Sequence, residues 1–205
     1  NKALLAEHGV ELFAAARRTG AGLYFEAAVA GGVPIIRALR EGLIASRISA
    51  IFGILNGTCN YILTRMEEER APFELVLREA QAAGYAEADP SLDVDGVDTA
   101  HKAAILATLA CGRPVPLSAI GTEGIRSVSN LDLDYARELG YAIKLIAVIR
   151  NEAGGVSVHV GPCLVPRTHL LGQVRDVFNA VLVKGDASGD TLYCGPGAGR
   201  YPTAG

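Results

Sequence analysis

Residues 142–165 read AIKLIAVIRNEAGGVSVHVGPCLV, and this stretch decides the fold class. Two apolar, β-branched runs, 142–150 and 156–165, flank Glu152-Ala153-Gly154-Gly155. That pattern predicts strand, hairpin turn, strand, the turn residues separating two segments of strand character. Working outward, residues 48–55 form another apolar, β-branched run and are expected to be a buried strand. It enters Asn56-Gly57-Thr58 and a helix over 60–69, which the Thr58 hydroxyl is expected to cap. An amphipathic helix is predicted over 73–83, ending at Gly84 where a C-terminal glycine belongs. Further helices are predicted over 97–110 and 131–139, and apolar runs occupy 178–184 and 191–194. At the other end, 2–8 and 10–18 read as two helical pieces punctuated by Gly9, and 23–29 reads as a strand. Pro34 then sits where a first-turn proline belongs, ahead of Ile35, Ile36, Ala38 and Leu39. Helices and strands mix without regular βαβ alternation. The expectation is an α+β fold with a mixed, largely antiparallel sheet packed with helices.

Composition narrows the function. The 205 residues carry 19 Lys and Arg against 22 Asp and Glu, a net charge of −3, so nothing marks a nucleic-acid backbone site. Tryptophan is absent, which argues against a base-stacking platform. The longest uncharged stretch, 48–64, is too short and too polar to span a bilayer, so no membrane partner is expected. Cys59, Cys111, Cys163 and Cys194 are far apart and form no paired-ligand motif. Inert thiols in a reducing cytoplasm are the expectation.

The chemistry concentrates in residues 84–112, GYAEADPSLDVDGVDTAHKAAILATLACG. Glu87, Asp89, Asp93, Asp95 and Asp98 fall within one short acidic stretch, and Lys102 follows on the helix behind them. Residues 103–112 carry no charge, as in a buried helix. Asp98 and Lys102 are four apart and share a face. A solvated loop with a surface ion pair is the plain alternative. Asp93-Val94-Asp95-Gly96 imitates the middle of a calcium-binding EF-hand loop. That loop needs a bidentate glutamate six residues after its glycine, where this chain has Lys102, so calcium is rejected. A catalytic reading also fits: a lysine entering an apolar helix loses hydration and becomes suited to proton transfer, with a nearby aspartate to orient it. The other carboxylates would then be free to receive a cationic substrate group.

The spacing Ala80-(three)-Gly84-Tyr85-Ala86-(two)-Asp89-Pro90-(two)-Asp93-Val94-(one)-Gly96-(one)-Asp98-(three)-Lys102 resembles the signature of the homoserine dehydrogenases at every fixed position. The segments EAAVAGGVPII (26–36) and GILNGTCNYI (53–62) are similar to two further stretches of that family. The resemblance implies interconversion of homoserine and aspartate 4-semialdehyde with NAD or NADP, on the branch to threonine and methionine. It makes Lys102 the general acid/base, Asp98 its orienting partner and Lys2 a second site lysine shared with the cofactor. It places Glu87, Asp93, Gly57, Thr58 and Tyr85 at the substrate. It makes Glu26, Val29, Gly31 and Val33 a sodium or potassium site, where hard cations take oxygen donors.

Gly195-Pro196-Gly197-Ala198-Gly199 does not have dinucleotide-fingerprint spacing. By resemblance Gly195, Gly197 and Gly199 form a turn that approaches the cofactor. The resemblance further implies a homodimer and a division into three parts. Residues 1–29 are a remnant of a Rossmann-type nucleotide-binding domain, 30–190 the catalytic and dimerisation domain, and 191–205 the returning glycine turn. A chain of this extent is expected to bind NAD(P)H weakly on its own. The competing readings are a non-catalytic dimerisation or binding module of the same fold, or a dehydrogenase for another amino-acid semialdehyde. The intact Glu87, Asp98 and Lys102 set weighs against the first.

Overall fold

The computed structural model describes residues 1–204, with the backbone alone at Arg200 and Tyr201. The 142–165 hairpin is present: β3 (Tyr141–Glu152) and β4 (Gly155–Pro166) pair antiparallel from Tyr141↔Pro166 to Glu152↔Gly155 around Ala153-Gly154. With β1 (Ile48–Ile54), β2 (Gly121–Thr122), β5 (Phe178–Gly185) and β6 (Gly189–Pro196) they form one six-stranded sheet, ordered β2-β4-β3-β1-β5-β6. Among the described residues only the short β2, on β4, is parallel. The fold class expected from the sequence is therefore the one observed.

Strand β1 lies between β3 and β5, with Ile51 opposite both Ile149 and Val183. Buried side chains fall on both faces of β1, Ile51 in one cluster and Ile54 in the other, so residues 48–55 do not alternate. One face carries the main core, where Ile51 and Leu55 pack under α3 (Gly57–Glu69) and α6 (Val97–Cys111). On the other, Ile54, Ile146, Val165, Leu171 and Leu182 form a smaller cluster, with Phe52, Val148, Cys163 and Leu192 half-buried beside it. The remaining helices are α1 (Lys2–Thr19), α2 (Ile35–Arg37, continued by a π turn over Ala38–Gly42), α4 (Phe73–Ala82), α5 (Ser91–Val94), α7 (Asn130–Glu138) and α8 (Arg200–Ala204). Among the described residues no helix is long and apolar enough to cross a membrane. All four cysteines are free.

The two expected N-terminal pieces are present: α1 is kinked where His8 leaves helical geometry at φ −120° and ψ 17°, one residue before Gly9. Other local expectations need correction. Residues 23–29 form no strand and add to neither edge of the sheet, β2 or β6. Tyr24 is 91% exposed, and Glu26–Ala28 is a single 3-10 turn. Helix α3 begins at Gly57 and its cap is Asn56, whose Oδ1 accepts from the Cys59 N–H at 2.8 Å. Asn56 is the last extended residue before the helix, so its side chain reaches back to the first turn, while the Thr58 hydroxyl donates to the Tyr85 carbonyl. Residues 191–196 continue β6 rather than starting the glycine turn. Within residues 1–29, α1 packs along α6 and Leu5 joins the main core.

The acidic loop is fixed to the sheet through residues 123–126. Ile125 N–H donates to the Val94 carbonyl at 2.8 Å, and the Arg126 guanidinium grips the Asp95 carboxylate. Gly124 lies so close that a Cβ would overlap the Val94 carbonyl. Gly124→Ala should destabilise the protein by about 1–3 kcal/mol in urea unfolding. Gly154→Ala, in the open hairpin turn, should stay within about 0.5 kcal/mol of the parent.

Candidate active site

Helix α6 starts from Gly96, whose φ of +83° turns the acidic loop sharply into the helix. Asp98 therefore sits in the first turn, where the helix dipole favours a negative charge, and Lys102 stands one turn behind it. The Lys102 ammonium lies 2.7 Å from Asp98 Oδ2 and donates to the Leu55 carbonyl at 2.8 Å. The Lys2 ammonium, from the first turn of α1, lies 2.7 Å from Asp98 Oδ1. One carboxylate thus holds two lysines from distant parts of the sequence. Asp98 is 5% exposed, the Lys102 side chain 12% and the Lys2 side chain 43%.

Asn56 completes the cluster. Its amide donates to Asp93 Oδ1 at 2.7 Å and to Asp98 Oδ2 at 3.0 Å, while its oxygen caps α3. Burial would raise the Asp98 carboxyl, but the Lys102 charge and hydrogen bond, aided by Lys2, outweigh it and hold Asp98 below the ordinary carboxylate range. Asp93 moves the other way: burial raises it, the Asn56 hydrogen bond offsets part of the shift, and the Asp98 charge adds to the rise. Cys59, fully buried behind them, is pushed well up by burial and donates to the Asp93 carbonyl.

Both lysines face a cleft of about 790 Å³ whose walls include Ala30, Gly31, Gly197 and Ala198. An ammonium carries three N–H groups, and Asp98 and Leu55 take two from Lys102, leaving one for a ligand oxygen. The arrangement can donate a proton from a fixed position.

The sequence-derived residues divide clearly. Lys2, Asp98, Lys102 and Asp93 come together in the cluster. Gly57 and Thr58 start α3 beside it, with Thr58 bonded to the Tyr85 backbone and the Tyr85 ring 5.0 Å from that of Tyr61. Glu87 is exposed on the loop, and among the described residues only its carbonyl is engaged, accepting from Gln81. Gly197 lines the cleft and leaves no room for a side chain beside Asn179, Gly195 lies within β6 opposite Asn179, and Gly199 is in the following turn. The Glu26 carboxylate caps α2, accepting from Ile36 N–H at 2.8 Å and Arg37 N–H at 2.9 Å. Val29, Gly31 and Val33 are buried in the turn beside it. No cluster of three or more His, Cys, Asp or Glu side chains suited to a metal occurs among the described residues. Asn56 and Asn179 were missed. The Asn-Gly-Thr bend was visible in the sequence, but polar residues at a bend give no sign of which partners they reach.

The homoserine dehydrogenase family model matches residues 34–205. The chain is 53% identical over 204 residues to homoserine dehydrogenase of Pseudomonas aeruginosa, covering 100% of this chain and 47% of that protein. A crystal structure of a homoserine dehydrogenase from Thiobacillus denitrificans superposes with a TM-score of 0.97 at 52% identity, covering 100% of this chain and 47% of the other. A hyperthermophilic archaeal homoserine dehydrogenase in complex with NADPH superposes with a TM-score of 0.86 at 31% identity, covering 100% and 59%. The chain thus spans about half the length of the curated relatives it matches. A family model matching most of the chain, and a site built on the signature's own Asp98 and Lys102, lead to one conclusion: this chain belongs to the homoserine dehydrogenase family.

Proposed function

We propose that this chain forms the catalytic region of an NAD(P)-dependent enzyme that interconverts L-homoserine and L-aspartate 4-semialdehyde. The observation that carries the reading is the Lys102 ammonium, anchored by Asp98 and the Leu55 carbonyl, with one N–H left for the cleft. Reduction of an aldehyde needs a hydride at carbon and a proton at oxygen. The nicotinamide supplies or takes the hydride. Lys102 gives the proton to the oxygen in one direction and removes it in the other. Asp98 orients Lys102 and keeps Lys2 beside it, so two positive charges face the oxygen on which negative charge develops.

The substrate ammonium is assigned to Glu87, with the Asp93 oxygen not bound by Asn56 as a second acceptor. Gly57, Thr58 and Tyr85 are assigned to its backbone side. The small walls of the cleft, at Ala30, Gly31, Gly197 and Ala198, suit the approach of a flat ring. Lys2, Gly197 and Gly199 are assigned to the cofactor, supported by Lys2 and Gly197 lining the cleft, and Gly195 leads into their turn from β6. A monovalent cation fits Glu26 with the carbonyls of Val29, Gly31 and Val33. The Val29 and Gly31 carbonyls accept no hydrogen bond among the described residues, and each Glu26 oxygen has accepted one and keeps a further lone pair. A homodimer would use the sheet face around Phe52, Val148, Cys163 and Leu192, where the apolar cluster is only half-covered. A cytoplasmic enzyme is consistent with the four free thiols.

Two measurements test the reading. In the full-length protein, Lys102→Ala should lower kcat on homoserine by about 10²-fold or more. Glu87→Ala should act mainly on KM for homoserine, and normal turnover by Lys102→Ala would remove the proton-transfer role. The second measurement is of stability. A carboxyl held low by folding contributes stability that is present above its unfolded value, about 3.9, and lost as pH falls through the lower folded value. The stability gap between the parent and Asp98→Asn should therefore narrow on acidification from about pH 6 to pH 3 in urea titrations. A gap that stays constant would contradict the ion cluster.

A further inference from the structure

Lys144, on β3, is 3% exposed and has no ion-paired carboxylate among the described residues. Its ammonium has two neutral acceptors, Asn60 Oδ1 at 3.0 Å and the Val174 carbonyl at 2.6 Å. A buried cation with neutral partners costs stability, so its place in the fold calls for a role. Burial, with the Arg175 charge, lowers its pKa to about 8.

The partners of Asn60 show what Lys144 organises. With its oxygen fixed by Lys144, the Asn60 amide nitrogen is turned toward the segment entering β5. There it meets the carbonyls of Val174 (3.3 Å), Asp176 (2.9 Å) and Phe178 (3.4 Å). Asp176 sits at φ +52°, a left-handed conformation that needs such external support. The same segment presents the Val177 carbonyl to Gly57, where a Cβ would approach it to 2.6 Å. The next residue but one, Asn179, is 1% exposed and donates to the Leu55 carbonyl at 3.1 Å. That carbonyl is the one that accepts from Lys102. A continuous set of hydrogen bonds and close contacts thus runs from Lys144 to the Lys102 anchor.

We propose that Lys144 is a positioning residue for Lys102, acting through Asn60, residues 174–178 and Asn179 to set where the Leu55 carbonyl meets the Lys102 ammonium. The proposal rests on the proton-transfer role assigned above to Lys102. An unprotonated amine still has two N–H groups for the two acceptors, so the clamp holds on both sides of neutrality. What it fixes is a distance, and an ångström at the reacting atom is worth up to about 10²-fold in rate.

The test uses the full-length protein with NADPH and with NADPH deuterated at the transferred position, comparing the parent, Lys102→Ala, Lys144→Met and Asn60→Ala. Thermal melts establish that each variant is folded at the assay temperature. Lys144→Met and Asn60→Ala should each lower kcat by about tenfold and raise the primary deuterium isotope effect on kcat, with KM for the semialdehyde within about twofold of the parent. A role confined to stability would lower the melting temperature and leave kcat and the isotope effect of the folded enzyme unchanged, and that result overturns the proposal. Failure of both variants to fold overturns it equally. An inactive parent, or an active Lys102→Ala, would instead overturn the underlying functional reading.

Discussion

One buried carboxylate holds the site together. Asp98 binds two ammonium groups, Lys2 on one oxygen and Lys102 on the other, and shares its second oxygen with the Asn56 amide. A lone carboxylate at 5% exposure would be strongly destabilised, and neither lysine would have a fixed place. Together the three groups satisfy one another, and the charge at the start of α6 gains from the helix dipole as well. Chain connectivity follows from this pairing: Lys2 reaches the cluster only because α1 lies along α6.

The fold supplies two rigid supports for that pairing. The end of β1 delivers Leu55 and Asn56, one as a carbonyl anchor for Lys102 and the other as a cap for α3 that also bridges Asp93 and Asp98. The central place of β1 in the sheet fixes these groups better than a loop would. From the other side, the Arg126–Asp95 pair and the Ile125–Val94 hydrogen bond hold the acidic loop against the sheet. Glu87 lies beyond these straps and is exposed, so the part of the site assigned to the substrate's ammonium is the least constrained.

Much of this was legible in the sequence. The hairpin at 142–165 announced itself through β-branched runs and a glycine turn, and the apolar run at 48–55 announced a buried strand, because both signals are local. The spacing of Asp98 and Lys102 showed that they share a helix face. Four things were hidden for physical reasons. The strand expected at 23–29 had suitable residues, but Glu26 within it sits in a 3-10 turn and accepts from the Ile36 and Arg37 N–H groups, partners that only tertiary structure reveals. Thr58 and Asn56 are both good caps, and the choice fell to the residue whose backbone is extended where the helix begins. Lys2 carried no local signal, since its partner lies 96 residues away in sequence. Lys144 was equally silent, lying in a strand pattern where a single lysine usually marks the solvent side.

Where the free Lys102 N–H points when substrate is present decides whether this lysine can transfer the proton. The direct measurement is a crystal structure of the full-length protein with homoserine and the oxidised cofactor. It should place Lys102 Nζ within about 3 Å of the homoserine hydroxyl oxygen while Asp98 still bridges both lysines. A hydroxyl bound elsewhere in the cleft, with Lys102 left on Asp98 and Leu55 alone, would contradict it.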